Sequence, residues 1–321
     1  MTTSMERRLL GRTGLEVSVV GLGTWAMGGD EWGPSDDQVS LEVLTAAVAG
    51  GVNIVDTADV YGAGHSEELI AEAIPFRSGV TVVTKGGWDI YTDPPVIGGA
   101  RRRYDAEYLQ RAVAESRRRL RRDRLDVYLL HNPDPDDLAA ESPFDTLRDL
   151  KAREQVRWIG ASVGNEQAAW AVLESDIDVI EVPCNVTRTW ATRLRPEAVR
   201  RGVGVIAREP LERGLLTGKY PVDATFAPGD HRAAKGRDWV EQAQSHIRSV
   251  AEVAKQHGRQ PADVALSFPL SYEGVACTVV GARTVDQLRR NIAGPLKLTP
   301  EDIAMLEGHR GNSSDRGSGG R

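Results

Sequence analysis

Eight short stretches of apolar, largely β-branched residues recur along the chain, at 17–23, 52–56, 80–85, 125–131, 156–162, 177–181, 203–207 and 275–281, each closing on a small or polar residue. Being apolar at consecutive rather than alternate positions, they read as strands buried on both faces. The intervening segments carry helical spacing and helix-start signals. Ser35-Asp36-Asp37 opens 36–50, Ser66-Glu67-Glu68 opens 66–74, Asp105 opens 105–121, and Asp286 lies early in 284–292. Strand and helix thus alternate eight times, which predicts an α/β chain folded as a closed (β/α)8 TIM barrel of about 250 residues before insertions. An open doubly wound sheet would need fewer strands.

Three pieces fall outside that repeat. Residues 6–16 contain Arg12-Thr13-Gly14, a turn sequence that predicts an N-terminal β-hairpin; a long segment runs from 208 to 237; and extra helical patterns occupy 240–272 and 299–308. They are expected as decorations of a single domain over 1–311. The tail, 312–321, has no apolar residue and is expected to be disordered.

Composition removes several function classes. With 40 Lys plus Arg against 46 Asp plus Glu among 321 residues, the formal charge is −6, which speaks against a nucleic-acid partner. A content of 40% hydrophobic and 27% charged residues is that of a chain with a large buried core, and excludes disordered and fibrous classes. No stretch approaches the roughly 20 apolar residues of a membrane helix, and residues 1–8 lack the apolar core of a secretory signal, so no membrane partner and a cytoplasmic location are expected. Cys184 and Cys277 stand alone, in no CxxC spacing, so neither a disulfide framework nor a thiolate metal site is expected.

Barrels carry their chemistry at the carboxyl ends of the strands. Here the second strand ends in Asp56, with Tyr61 five residues later; the third ends in Lys85 and the fourth in His131. Singly, these read as a turn cap, a solvated end and a core imidazole. Together, three adjacent strands put an acid, a cation and an imidazole around one point, with a phenol on the loop between. A phenol has a reference pKa near 10, which a nearby ammonium lowers. Lys85 supplies that charge, Asp56 orients it, and His131 can hydrogen-bond the phenol or a substrate oxygen. A tuned proton donor suits reduction of a carbonyl, and the hydride then has to come from a nicotinamide.

Gly21-Leu22-Gly23-Thr24-Trp25-Ala26 matches G-x-G-x-x-A, but the Gly-rich stretch from Met27 that follows is no phosphate-binding helix, so a Rossmann site is rejected. Better anion sites come late. The seventh strand is followed by Leu211, Arg213, Gly214 and Lys219; the eighth is followed by Gly281 and Arg283, at the start of a helix carrying Gln287 and Asn291.

With these residues in view, the chain resembles the aldo-keto reductases of the bacterial type. Val55-Asp56-Thr57-Ala58-Asp59-Val60-Tyr61-Gly62 with Ser66-Glu67 is similar to that family's first signature, Val83-Thr84-Lys85-Gly86-Gly87 to its lysine strand, and Asp126 through Pro135 to its histidine strand. The match runs from the Arg7 hairpin to about Asn291. The resemblance implies a tetrad of Asp56, Tyr61, Lys85 and His131, with Tyr61 as general acid and NADPH (NADP+) as the hydride carrier. It also implies cofactor contacts from Gly23, Thr24, Trp25, Asp56, Ser162, Glu181 and the late anion sites, with Arg283, Gln287 and Asn291 on the adenosine 2′-phosphate. An Arg at a helix N-terminus suits a phosphate better than a ribose hydroxyl.

The family's pattern is not met everywhere. It has Gln where Glu181 stands and an aromatic at Cys184, so that either the nicotinamide is held more loosely or Trp190 fills the gap; a catalytic role for Cys184 is weighed and set aside. Arg208 and Glu209 replace an aromatic and a Ser, and Glu209 is expected to turn away from the phosphates or pair with Arg208. Of the usual Ser-Asn pair after the fifth strand, Ser162 is carried over and Asn165 falls out of register.

Trp25, Trp32, Trp88 and Trp190 are expected to line an apolar substrate cleft. The run 101–103 reads as solvated charge, with selection of an anionic or nucleotide-linked substrate as the alternative if its loop covers the site, and the run from Arg117 to Arg124 reads as a solvated helix face. The expected activity is therefore NADPH-dependent reduction of a small-molecule carbonyl, an aldehyde or ketone such as a sugar or natural-product ketone. A non-catalytic NADPH-binding barrel subunit and a lyase using Lys85 as a Schiff-base nucleophile are the alternatives, and oligomeric state is left open.

Overall fold

The hydrophobic runs dictate a sheet apolar on both faces, and they form one. In a computed structural model describing residues 5–29, 32–33, 35–75, 78–92, 101–141, 143–227 and 229–308, eight parallel strands close into a barrel in chain order. After the hairpin strands β1 (Arg7–Leu9) and β2 (Glu16–Ser18), the staves are β3 (Val20–Gly23), β4 (Ile54–Asp56), β5 (Thr81–Gly86), β6 (Leu125–His131), β7 (Val156–Ser162), β8 (Val179–Pro183), β9 (Gly204–Arg208) and β10 (Val275–Gly281), with β10 closing on β3. Alternate residues point in and out. Ile54, Val83, Val127, Leu129, Val179, Ile206 and Cys277 fill the interior, while Val55, Val82, Tyr128, Leu130, Ile180 and Val205 pack outward under the helices.

The run 17–23 is not one strand. Its first part pairs with β1 in the hairpin, Val19 forms the corner by donating to the Glu6 carbonyl, and only from Val20 does the chain enter the barrel. Leu10 and Val17 from the hairpin join the interior cluster and plug its amino end. The fit is tight enough that a Cβ on Gly204 would lie 2.7 Å from Leu10, so only glycine is accommodated there.

The helices are α1 (Asp37–Ala49), α2 (His65–Ala73), α3 (Ala106–Arg119), α4 (Pro135–Glu141), α5 (Pro143–Ala152), α6 (Glu166–Glu174), α7 (Ala191–Arg201), α8 (Gly236–Gln256), α9 (Pro261–Leu270), α10 (Val285–Ala293) and α11 (Pro300–Glu307). Asp36, Asp105 and Thr284 cap α1, α3 and α10 through their side chains. Asn165, out of register as a cofactor ligand, caps α6. The pattern over 240–272 resolves into α8 and α9, and 208–237 into two single-turn 3-10 segments, Glu212–Thr217 and His231–Lys235. Among the described residues no helix is long and apolar enough to cross a membrane. The tail 312–321 lies outside the described residues.

One reading of the basic run from Arg117 is corrected. Arg118, Arg121 and Arg124 are exposed, but Arg119 and Arg122 are buried. Helical spacing turns Arg119 inward, where it meets the buried carboxylate of Glu67; Arg122 bonds Asp126.

Candidate active site

Asp56 ends β4, and the chain then continues along the edge of β5: Thr57 N donates to the Val83 carbonyl and Asp59 N to the Lys85 carbonyl. Past Tyr61 three successive residues, Gly62, Ala63 and Gly64, take positive φ of 62°, 52° and 100°. A Cβ at Gly62 would lie 1.4 Å from the Gly28 carbonyl oxygen, so this turn is written into the sequence by its glycines. It holds the phenol over the barrel mouth instead of letting α2 begin directly after β4.

Lys85 Nζ donates to Asp56 Oδ1 at 2.6 Å and to the Thr57 carbonyl at 2.9 Å, and lies 5.5 Å from the centre of the Tyr61 ring. The His131 ring meets Tyr61 edge to face, with centroids 5.9 Å apart. Glu181 adds a second carboxylate, 3.6 Å from Lys85 Nζ, and Ser162 Oγ donates to it at 2.7 Å. The four residues expected to act together are therefore brought together.

Burial tends to discharge Lys85, but Asp56 and Glu181 overcome this and hold the ammonium charged. Asp56 is pushed up by burial and by Glu181, against the pull of Lys85. The Tyr61 phenol is raised by burial, with Lys85 opposing, so it is protonated near neutrality. Burial, reinforced by Lys85 and Arg208, depresses His131 well below its usual range, leaving a neutral imidazole.

These residues open onto a cleft of about 1650 Å³. Asp56, Tyr61, His131 and Glu181 line one part of it, and Gly281, Arg283, Gln287 and Asn291 another; Gly23, Trp25, Leu211, Arg213, Gly214 and Lys219 lie along its walls, as do Trp32 and Trp88. Thr24 and Ser162 are buried supports, not lining residues: Thr24 donates to the Asp56 carbonyl, Ser162 to Glu181. Lys85 is likewise buried, behind Tyr61. A charged, enclosed, doubly paired amine is a poor Schiff-base nucleophile, which counts against the lyase alternative.

Trp190 departs from expectation. It precedes α7, is buried within the outer core and does not reach the cleft, so it neither lines a substrate pocket nor replaces a stacking aromatic. Cys184 is buried too, and burial lifts its thiol to about 12, which excludes a reactive thiolate near neutral pH. Glu209 pairs with Arg208 at 2.6 Å and with Arg213 and Arg188 at 3.4 Å each, and these guanidinium groups overcome burial to hold it ionised. In the 101–103 run, Arg101 is exposed, while Arg102 and Arg103 are half-buried: Arg102 is engaged by Asp134, Asp137 and the Asn132 carbonyl, and Arg103 by Asp105.

Sequence reasoning missed several wall residues, Arg208, Asn132 and Arg290 among them. Arg208 and Asn132 meet beside His131, with Arg208 Nη2 donating to Asn132 Oδ1 at 3.1 Å, and Arg290 on α10 joins Arg283, which precedes that helix. The available signals were the adjacency of Asn132 to His131 and the departure of Arg208 from the family's pattern.

His131 Nδ1, Glu181 Oε2 and Arg208 Nε are buried and have no hydrogen-bond partner among the described residues. Three unsatisfied polar atoms around one end of a long cleft, with cationic side chains along the rest, fit a polar, anionic ligand such as a nicotinamide dinucleotide.

A family model described as the Aldo/keto reductase family matches residues 19–310. The chain is 30% identical over 293 residues to the aldo-keto reductase YhdN of Bacillus subtilis (strain 168), covering 88% of this chain and 87% of that protein. It is also 30% identical over 325 residues to the NADH-specific methylglyoxal reductase of Escherichia coli (strain K12), covering 94% and 97% respectively. Among solved structures, the glycerol dehydrogenase AKR11B4 from Gluconobacter oxydans matches at a TM-score of 0.77 and 28% identity, covering 94% of this chain and 95% of that one.

Proposed function

The chain belongs to the aldo/keto reductase family of oxidoreductases, and from that premise we propose that it reduces an aldehyde or ketone to an alcohol, with Tyr61 donating the proton and NADPH the hydride. The observation that carries this reading is the Lys85–Asp56 pair at 2.6 Å beneath a protonated phenol and beside a neutral imidazole.

The Tyr61 hydroxyl points its proton at a carbonyl oxygen lying between it and His131. As the proton leaves, the developing phenolate is stabilised by the Lys85 ammonium, which Asp56 keeps charged and in place. His131, being neutral, offers a hydrogen bond to the same oxygen without competing as a cationic acid. Trp25, Trp32 and Trp88 give the substrate's remainder an apolar wall and limit water at the reacting carbon. When bound, the nicotinamide supplies the hydride.

Glu181 would accept from the carboxamide, Arg213, Gly214 and Lys219 would hold the pyrophosphate, and Arg283, Gln287 and Asn291 the adenosine end. The preference for NADPH over NADH rests on Arg283 and Arg290 together. The nearby carboxylate on that wall, Asp263, is committed to Arg259 Nε at 3.0 Å and to the Gln260 backbone at 3.2 Å, so it is not available for a ribose diol. The E. coli relative, named as NADH-specific, makes this a point to test. A panel of neutral aldehydes and ketones assayed with NADPH and NADH side by side decides it. Consumption of NADPH with a carbonyl supports the reading; tight binding of NADPH with no turnover of any carbonyl would favour the non-catalytic subunit.

A further inference from the structure

A second charge cluster lies beside the Tyr61 turn, formed by the buried Asp59, Glu67 and Arg119 with the half-buried Tyr91, and none of these residues lines the cleft. Arg119, at the end of α3, is only 6% exposed. Its Nε donates to Glu67 Oε2 at 2.6 Å and its Nη2 to the Tyr91 hydroxyl at 2.8 Å, and Tyr91 in turn donates to Asp59 Oδ2 at 3.5 Å. Glu67 also accepts from Thr84 Oγ1 at 2.6 Å, one residue before Lys85. The arginine side chain passes so close beneath the turn that a Cβ on Gly64 would sit 2.4 Å from Arg119 Nε. One guanidinium therefore touches the turn carrying Tyr61, the first turn of α2, and the loop between Trp88 and Tyr91, and reaches the lysine strand through Glu67. Such a cluster is costly to bury, and the Lys85–Asp56 chemistry makes no use of it. Burial and the neighbouring Glu67 push Asp59 up, with Arg119 opposing.

We propose that Arg119 is a positioning residue that, by holding Glu67, Tyr91 and the underside of Gly64, sets the Tyr61 hydroxyl relative to Lys85 and His131. This rests on the reading of Tyr61 as proton donor. A lysine cannot substitute, because a single ammonium does not span both acceptors. A groove of about 700 Å³ between α1, α2 and α3 leads from solvent to Arg119, so a small external cation can reach its place.

The test compares Arg119→Ala, Arg119→Lys and the exposed control Arg118→Ala. Rates are expressed per NADPH-binding site, which removes any loss of folded protein. For Arg119→Ala, kcat is expected to fall about 100-fold, the cost of a misplaced catalytic group, with carbonyl KM and NADPH affinity nearly unchanged. Guanidinium ion at non-denaturing concentration should restore part of that loss in Arg119→Ala but not in Arg119→Lys. Amide exchange should accelerate at 60–65 in Arg119→Ala and slow again with guanidinium. Wild-type kcat and wild-type exchange at 60–65 in Arg119→Ala would overturn the proposal, as would lost activity with faster exchange across the whole barrel and no rescue. If Arg119→Ala does not fold, Tyr91→Phe removes the hydroxyl linking Arg119 to Asp59; a fall in its kcat of about tenfold supports the role, and an unchanged kcat overturns it. Should the wild-type chain reduce no carbonyl, the proposed function fails while the exchange comparison still decides the role of Arg119.

Discussion

Replacing Lys85 by Met removes the one cation beneath Tyr61 while keeping most of the buried volume. The ammonium lies 5.5 Å from the phenol ring, and a unit charge at that distance, with an effective dielectric constant of about 20, stabilises a phenolate by ~3 kcal/mol. That corresponds to about two pKa units on Tyr61. If roughly half of the charge has developed when the proton is in flight, the reduction loses about tenfold in kcat from electrostatics alone. Alcohol oxidation starts near neutral pH from the same protonated phenol and passes through the same transition state, so it loses about the same tenfold, while the phenolate it uses forms about two pH units higher. The variant also leaves Asp56 and Glu181 facing one another without their shared cation, so Asp56 takes up a proton. The assay measures kcat in both directions as a function of pH, with NADPH binding followed by tryptophan fluorescence to confirm an intact cleft. An unchanged kcat for reduction, or an oxidation profile unmoved toward higher pH, would refute the electrostatic role given to Lys85.

Arg283→Gln should weaken NADPH about ten- to 100-fold, the worth of a charge-assisted hydrogen bond, and leave NADH nearly unaffected; an equal loss for both cofactors in fluorescence titrations contradicts the placement of the 2′-phosphate. Gly62→Ala forces a Cβ onto the Gly28 carbonyl and should lower stability by at least about 2 kcal/mol in denaturant unfolding while abolishing turnover; a stable, active variant would show that the turn is not constrained. His131 is buried with a folded-state pKa well below its usual value, so the unfolded chain binds the extra proton. Stability is accordingly present above about pH 6.5 and is lost as pH falls below it, at up to ~1.4 kcal/mol per pH unit for this group. Thermal melts of the wild type should therefore drop more steeply with acid than those of His131→Gln, and parallel slopes would contradict a buried neutral imidazole.

The barrel was legible because its strands are apolar on both faces, a pattern that leaves little choice once it recurs eight times with helices between. The grouping of the candidate residues was legible for a related reason: Asp56, Lys85 and His131 are polar side chains ending otherwise apolar runs, and the strand order places them together. What escaped the sequence depended on which way a side chain turns. Trp190 stands in the loop between β8 and α7, and its ring is buried in the outer core instead of facing the cleft. Arg119 sits in a run of arginines whose average behaviour is solvation, and only the helical phase of α3 against the buried Glu67 reveals the exception. Arg208 could be noted as unusual in its place, but its partnership with Asn132 joins β9 to the residue after β6, a contact of long range that no local pattern encodes.

The most direct test of Tyr61 as the proton donor is Tyr61→Phe, which deletes the hydroxyl and keeps the ring that stacks near Trp25. NADPH should bind the variant as it binds the wild type, by fluorescence titration, while carbonyl turnover with NADPH falls to near zero. A Tyr61→Phe enzyme that binds NADPH and still reduces carbonyls at close to the wild-type rate would contradict the mechanism.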